Sequence, residues 1–256
     1  MNQNDTPPPE MPSANDSWAR PIERLAVGAL PVEAVNLNVQ GRRLAGLMAG
    51  FGQMWQKTYR LPLKGVAVDP STVISEWKTH FSEFWPVGNR FFTAFTTSIT
   101  PGEVAVLNLA GPYGGRLPGG APVIATGVLV IYADDESFSF MTPEGHMFAG
   151  MITFSAVQED ATTIAQIQAL IRTSDPLYEV MMRLGMSQRE DAFWCATLQK
   201  VAAHFGVIGQ PACHAVLVDP NLRWYEARNI WHNAALRTLF YVLLTPLRWL
   251  RDKLRI

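Results

Sequence analysis

The chain has 256 residues, of which 48% are hydrophobic and 17% charged, and its formal net charge is −1. That length suits one large domain or two small ones, and it can bury a full core and still enclose a pocket. The near-zero charge excludes a whole-chain field that would recruit nucleic acid, and no apolar run reaches the ~18 residues of a membrane-spanning helix.

The first twenty residues are rich in Pro, Asn, Asp and Ser, a composition that predicts a disordered segment over 1–20. Residues 1–17 have no apolar stretch of the kind that opens a secretory signal, so no leader is expected. Residues 21–50 read as irregular, with a short helix over 41–49. From Met54 to Leu63 polar and apolar residues alternate, which predicts a strand, with Pro62 confined to its end or to an edge. Asp69-Pro70-Ser71 opens a helix, because Asp caps well and Pro suits the first helical position. Val73, Ile74, Trp77, His80, Phe81 and Phe84 then recur at helical spacing, so the helix is expected to run to about residue 85.

A strand over Glu103–Leu109 leads into a glycine-rich loop at 110–121, expected to be flexible and placed to cover a cavity. From Pro122 to Arg172 apolar, β-branched runs are separated by short turns at Asp134-Asp135-Glu136, Pro143-Glu144-Gly145 and Gln158–Ala161. Connections this short favour antiparallel pairing, since a parallel pair needs a long crossover. Asp175-Pro176 repeats the capping signal and opens the main helix. Its apolar stripes are Leu177, Val180, Met181, Leu184 and then Phe193, Trp194, Leu198, Val201, Ala202, Phe205. Gly185 is placed to kink or break it, and Gly206 to end it. Ala215–Val218 reads as one more short strand, and a second helix is expected from about Trp224.

This order of an early strand, a helix, successive antiparallel strands and a long helix resembles the helix-grip superfamily, which includes START domains, birch-pollen-allergen-like proteins and polyketide cyclases (SRPBCC). The resemblance spans roughly residues 50–206. The phrases TPEGHMFAG (142–150) and RTSDPLYE (172–179) are similar to those of uncharacterised bacterial members. The resemblance implies an α+β fold, a curved antiparallel sheet wrapped around a long helix. The organisation expected is a disordered 1–20, a helix-grip domain over 21–220 and a basic amphipathic helical extension over 221–256. It also implies a cavity between sheet and helix for an apolar, lipid-like molecule, which the protein binds or transfers. An enzyme of the cyclase, dehydratase or aromatase kind in the same cavity is the alternative.

Inward strand residues and one face of the helix would then line the cavity. The candidates for ligand contact are Tyr59, Arg60, Phe154, Gln166, Gln168, Met181 and Trp194. Gln166 and Gln168 share a face of the last strand; they either orient a ligand or face solvent on the convex side of the sheet. Arg60 and Arg116 are candidates for an anionic ligand group. Glu144 and His146, two residues apart in a turn, offer an acid–base pair or are plain polar turn residues. No metal-ligand spacing, phosphate loop or nucleophile elbow is present, so neither a metal nor another cofactor is expected. Cys195 and Cys213 read as reduced structural thiols in a cytoplasmic protein.

The tail is the most distinctive segment. Over 223–256 seven basic residues face two acidic ones, a net charge of +5, beside the apolar run TLFYVLLTPLRWL. Apolar bulk next to basic side chains suits a helix lying on an anionic membrane surface, expected over 237–256, and so a protein peripheral to the inner face of the membrane. A helix packed on the body of the domain, or a dimer contact, is the other reading.

Overall fold

The computed structural model describes residues 17–93, 99–111 and 114–245. The expected disordered segment therefore lies largely outside the described residues, as does the tail from 246 onward.

Eight strands form one antiparallel sheet: β1 (Met54–Pro62), β2 (Arg90–Phe92), β3 (Val104–Leu109), β4 (Ile124–Ala133), β5 (Ser137–Met141), β6 (Phe148–Glu159), β7 (Thr162–Thr173) and β8 (Ala212–Asp219). Their order is β2-β3-β4-β5-β6-β7-β1-β8. The run from β3 to β7 is thus a meander of neighbouring hairpins, and β1 returns to lie between β7 and β8. The turns follow from their residues. Asp134 Oδ1 accepts the N–H groups of Glu136 and Ser137 at 2.9 and 2.8 Å, which closes the β4–β5 hairpin. Asp160 takes a positive φ of 52° between β6 and β7, a conformation Asp tolerates.

Helix α1 (Pro70–Thr79) begins where Asp69 accepts the Thr72 N–H, with Pro70 in its first turn. It is shorter than the sequence predicts. Residues 80–85 continue as tight turns, Glu83 N–H to His80 O and Trp85 N–H to Ser82 O, because the residue preceding Pro86 is disfavoured in helix. The main helix comes in two pieces, α2 (Pro176–Met181) and α3 (Ser187–His204), joined by a π-helical turn over Met182–Met186. Gly185 sits there at φ 110°, and the predicted break is found at that residue. Gly206, at φ 76°, follows the end of α3. Strand β2 is too short to announce itself by alternation.

One face of β1 and β3–β7 packs with α1 and α3 in a single cluster around Trp77, Phe81, Phe138, Phe154, Ile167 and Leu198. Side chains from so many neighbouring strands meet one cluster only if the sheet curves around it. The chain has the helix-grip fold. The opposite face of β3 and β4 is covered by the irregular segment before β1 through Leu25 and Val39. Helix α4 (Ala234–Leu243) docks near β4. No helix long and apolar enough to cross a membrane occurs among the described residues.

Candidate functional site

The aromatic side chains that could have walled an apolar cavity fill it instead. Trp77 lies edge-on to Phe138 and Phe154, and Phe81 touches Phe91, Phe138, Phe140 and Phe154 with ring centroids 4.8–5.6 Å apart. A pocket of about 230 Å³ lies between sheet and helix at the other end of the core, under α2, the π-helical turn and the start of α3. A larger groove of about 780 Å³ lies on the surface between residues 43–49 and 226–232.

The smaller pocket has an apolar and a charged side. Trp55 of β1, Phe148 of β6, Ile171 of β7 and Met182 of the π-turn form the apolar side. Alternation places Trp55, Lys57 and Tyr59 on the strand face that looks at α3. Lys57 is nearly fully buried there. Its Nζ lies 2.7 Å from Glu190 Oε2, 2.8 Å from Asp191 Oδ1 and 3.2 Å from Ser187 Oγ. Tyr59 donates its hydroxyl to Asp191 Oδ1 at 2.7 Å. Ser187, Glu190, Asp191 and Trp194 recur at three- and four-residue spacing, so one face of α3 carries them all.

The electrostatics follow from one ammonium facing two carboxylates. Burial raises the pKa of Glu190 and outweighs the lowering effect of Lys57. Burial alone would lower Lys57, but the two carboxylates more than offset it, and its pKa is raised. Lys57 therefore stays charged, and Glu190 takes up a proton more readily than a free carboxylate does. Burial, then the charge of Glu190 and the bond to Asp191, hold the Tyr59 hydroxyl far above its ordinary range, so it remains a donor. At the mouth of the pocket Glu179 accepts from Thr173 Oγ1 at 2.8 Å and from Arg183 at 2.7 and 2.9 Å. Gly52 allows this: a Cβ there would lie 1.9 Å from Thr173 Oγ1 and 2.2 Å from Glu179 Oε2.

The residues expected from the sequence are placed as follows. Tyr59, Phe154 and Trp194 come together behind the pocket. Trp194 packs on Phe154 with centroids 5.6 Å apart. Met181 is partly exposed beside the pocket-lining Met182. Gln166 and Gln168 lie on the sheet face away from α3, and Gln168 is exposed. Arg60 also points away from the pocket and pairs with Glu159 on the surface. Arg116 donates to Gly120 O within its own loop and to Gly88 O, which ties the loop to the turn before β2.

Glu144 and His146 are not brought together. Glu144 meets the backbone of Arg43, whereas His146 is fully buried and its Nδ1 accepts the Phe148 N–H at 3.0 Å. Burial pushes its pKa down to about 4, so it is a neutral structural acceptor. The residues that line the pocket were missed, although two signals for them stood in the sequence. Lys57 is a charge on an otherwise apolar strand face, and Ser187, Glu190 and Asp191 share a helix face with Trp194.

No family model matches the sequence, and no curated protein does. Several solved structures are similar at low identity. A ginseng major latex-like protein from Panax ginseng matches at 14% identity and a TM-score of 0.40, over 60% of this chain and 99% of that one. The di-domain ARO/CYC StfQ of the steffimycin biosynthetic pathway matches at 11% and 0.42, over 60% of this chain and 50% of that one. A Mycobacterium smegmatis protein matches at 14% and 0.40, over 59% and 90%. At such identities the fold rests on the strand order and helix placement described above.

Proposed function

We propose that this helix-grip protein binds a small, largely apolar molecule in the pocket between β1, β7 and the broken helix, with a polar group of the ligand turned toward Lys57 and Glu190. One observation carries the reading: an apolar wall of Trp55, Phe148, Ile171 and Met182 stands opposite a buried charged cluster where a π-turn interrupts the helix. Such turns recur at functional sites, and an apolar pocket with a few placed polar groups is the usual form of a small-molecule site. The pocket is smaller than the ~300–1,000 Å³ of most ligand sites, which favours a compact molecule, or one end of a longer one, over an enclosed lipid.

A titration of the purified protein with a fluorescent naphthol, an apolar bicycle with one hydroxyl, tests this. Saturable one-to-one binding that quenches tryptophan emission, and that is lost in Met182→Trp, is the expected result. Binding of equal strength in Met182→Trp would sink the proposal.

A second reading, proton transfer to or from the bound molecule, is favoured by Glu190 specifically. A buried carboxyl whose pKa is raised holds a proton more tightly than a free one and can hand it to a bound molecule. Glu190→Gln would then preserve binding and abolish exchange of solvent deuterium into a bound carbonyl compound. Exchange at the wild-type rate in that variant would exclude Glu190 from the role.

A further inference from the structure

Helix α4 is inverted relative to an ordinary surface helix. Its polar Thr238 faces inward, accepting the Ala125 N–H at 3.0 Å and donating to Ala234 O at 2.7 Å. Four apolar residues toward its C-terminal end face outward: Leu239, Phe240, Leu243 and the capping Leu244 are all exposed, Phe240 by 59%. Their three- and four-residue spacing makes them a single stripe. The 3-10 segment that precedes the helix, Trp224–His232, exposes Trp224 and Tyr225 by 71% each and Trp231 by 80%. Arg228 lies over the Tyr225 ring at 4.2 Å, and Arg223 reaches the exposed Met48.

This surface is held rigidly. Asn233 donates to Asp175 Oδ2 at 2.8 Å, Tyr178 OH accepts the Ala235 N–H at 3.0 Å, and Asn229 donates to Ala49 O and Ser174 O. The whole segment is therefore fastened to α2 and to the ends of the core strands, beside the mouth of the pocket.

We infer that residues 224–244 form a fixed platform that docks the protein on an anionic lipid bilayer, with Trp224, Trp231, Phe240 and Leu243 entering the interface. Trp and Tyr favour the headgroup level, and an exposed apolar stripe gains by entering the acyl boundary. Charge decides the occupant. Within residues 223–245 Arg223, Arg228 and Arg237 outnumber Glu226, and the sequence from 246 to 256 adds a further net +3, a balance that attracts anionic headgroups and opposes self-association. The sequence predicts the contact over 237–256; its end from 246 lies outside the described residues, and the platform adds the exposed aromatic residues before α4.

Flotation of the full chain with vesicles tests the inference. One set is phosphatidylcholine alone and the other has about a third phosphatidylglycerol, a leaflet of strongly negative potential. The wild type is expected to bind only the anionic vesicles, less tightly as salt is raised. Trp231→Ala combined with Phe240→Ser should weaken binding at least tenfold while leaving the thermal midpoint unchanged. Ending the chain at Thr245 should weaken binding without abolishing it. The inference is overturned if the wild type ignores anionic vesicles, if the double variant binds as the wild type does, or if binding depends on 246–256 alone. It is equally overturned if the wild type is a dimer that the double variant dissolves, for then the face is a self-association surface.

Discussion

Replacing Lys57 by Met gives the sharpest test of the buried cluster. The substitution keeps the bulk of the side chain and removes the ammonium that lies 2.7 Å from Glu190 and 2.8 Å from Asp191. Breaking a buried ion pair by removing one partner typically costs about 3–5 kcal/mol, because the other charge stays buried without compensation. Asp191 is about one-third exposed, so water screens it and Glu190 sets the magnitude. For a chain of this size the loss corresponds to a fall of roughly 6–20 °C in the thermal midpoint. Urea unfolding followed by tryptophan emission measures it directly. The double variant Lys57→Met/Glu190→Leu leaves no buried charge of that pair and should regain most of the loss. The pH dependence has a definite sign. Glu190 binds its proton more tightly folded than unfolded. Its stabilising contribution is therefore present below the unfolded value near 4.5 and is lost as pH rises through the folded value. The deficit of Lys57→Met should accordingly shrink in acid. A single variant within about 1 kcal/mol of wild type, or a double variant no more stable than the single, would refute the charge reasoning.

Three further outcomes are expected. His146 has a folded pKa of about 4 against an ordinary 6.5, so it binds fewer protons folded than unfolded between those values. Stability should rise with pH across that window by about 3 kcal/mol, and unfolding curves of His146→Asn should lose that slope. Gly145→Ala places a Cβ 2.0 Å from His232 O on a backbone at φ +86°. It should cost about 2 kcal/mol or more and open residues 224–245 to limited proteolysis. Thr238→Val leaves the buried Ala125 N–H without an acceptor and should cost about 1–3 kcal/mol, whereas Phe240→Ser in the same helix should stay within about 0.5 kcal/mol; chemical denaturation of the pair reads both.

Most of the fold was legible because it is written in local signals. Asp69-Pro70 and Asp175-Pro176 mark helix starts by capping chemistry, and the turns at Asp134 and Asp160 mark hairpins of a meander. Gly185 marked the break, although nothing local in the sequence says that it takes a π-helical form. The candidate site was less legible because burial depends on which face of a strand meets a helix. Gln166 and Gln168 share a face with each other, and alternation cannot say that this face looks outward. His146 illustrates the same limit: its sequence neighbours suggest acid–base chemistry, whereas the fold buries it as an acceptor for Phe148. For the apolar run of α4 the sequence leaves a surface helix and a packed one both open. The inward place goes to Thr238, whose partners Asn38 and Ala125 come from distant parts of the chain.

Native mass spectrometry of the protein purified from its own host bears most directly on the pocket between β1, β7 and the broken helix. A small molecule bound one-to-one to the wild type, and missing from Met182→Trp prepared in parallel, is the predicted result. A molecule retained equally by both proteins would contradict the assignment of that pocket as the binding site.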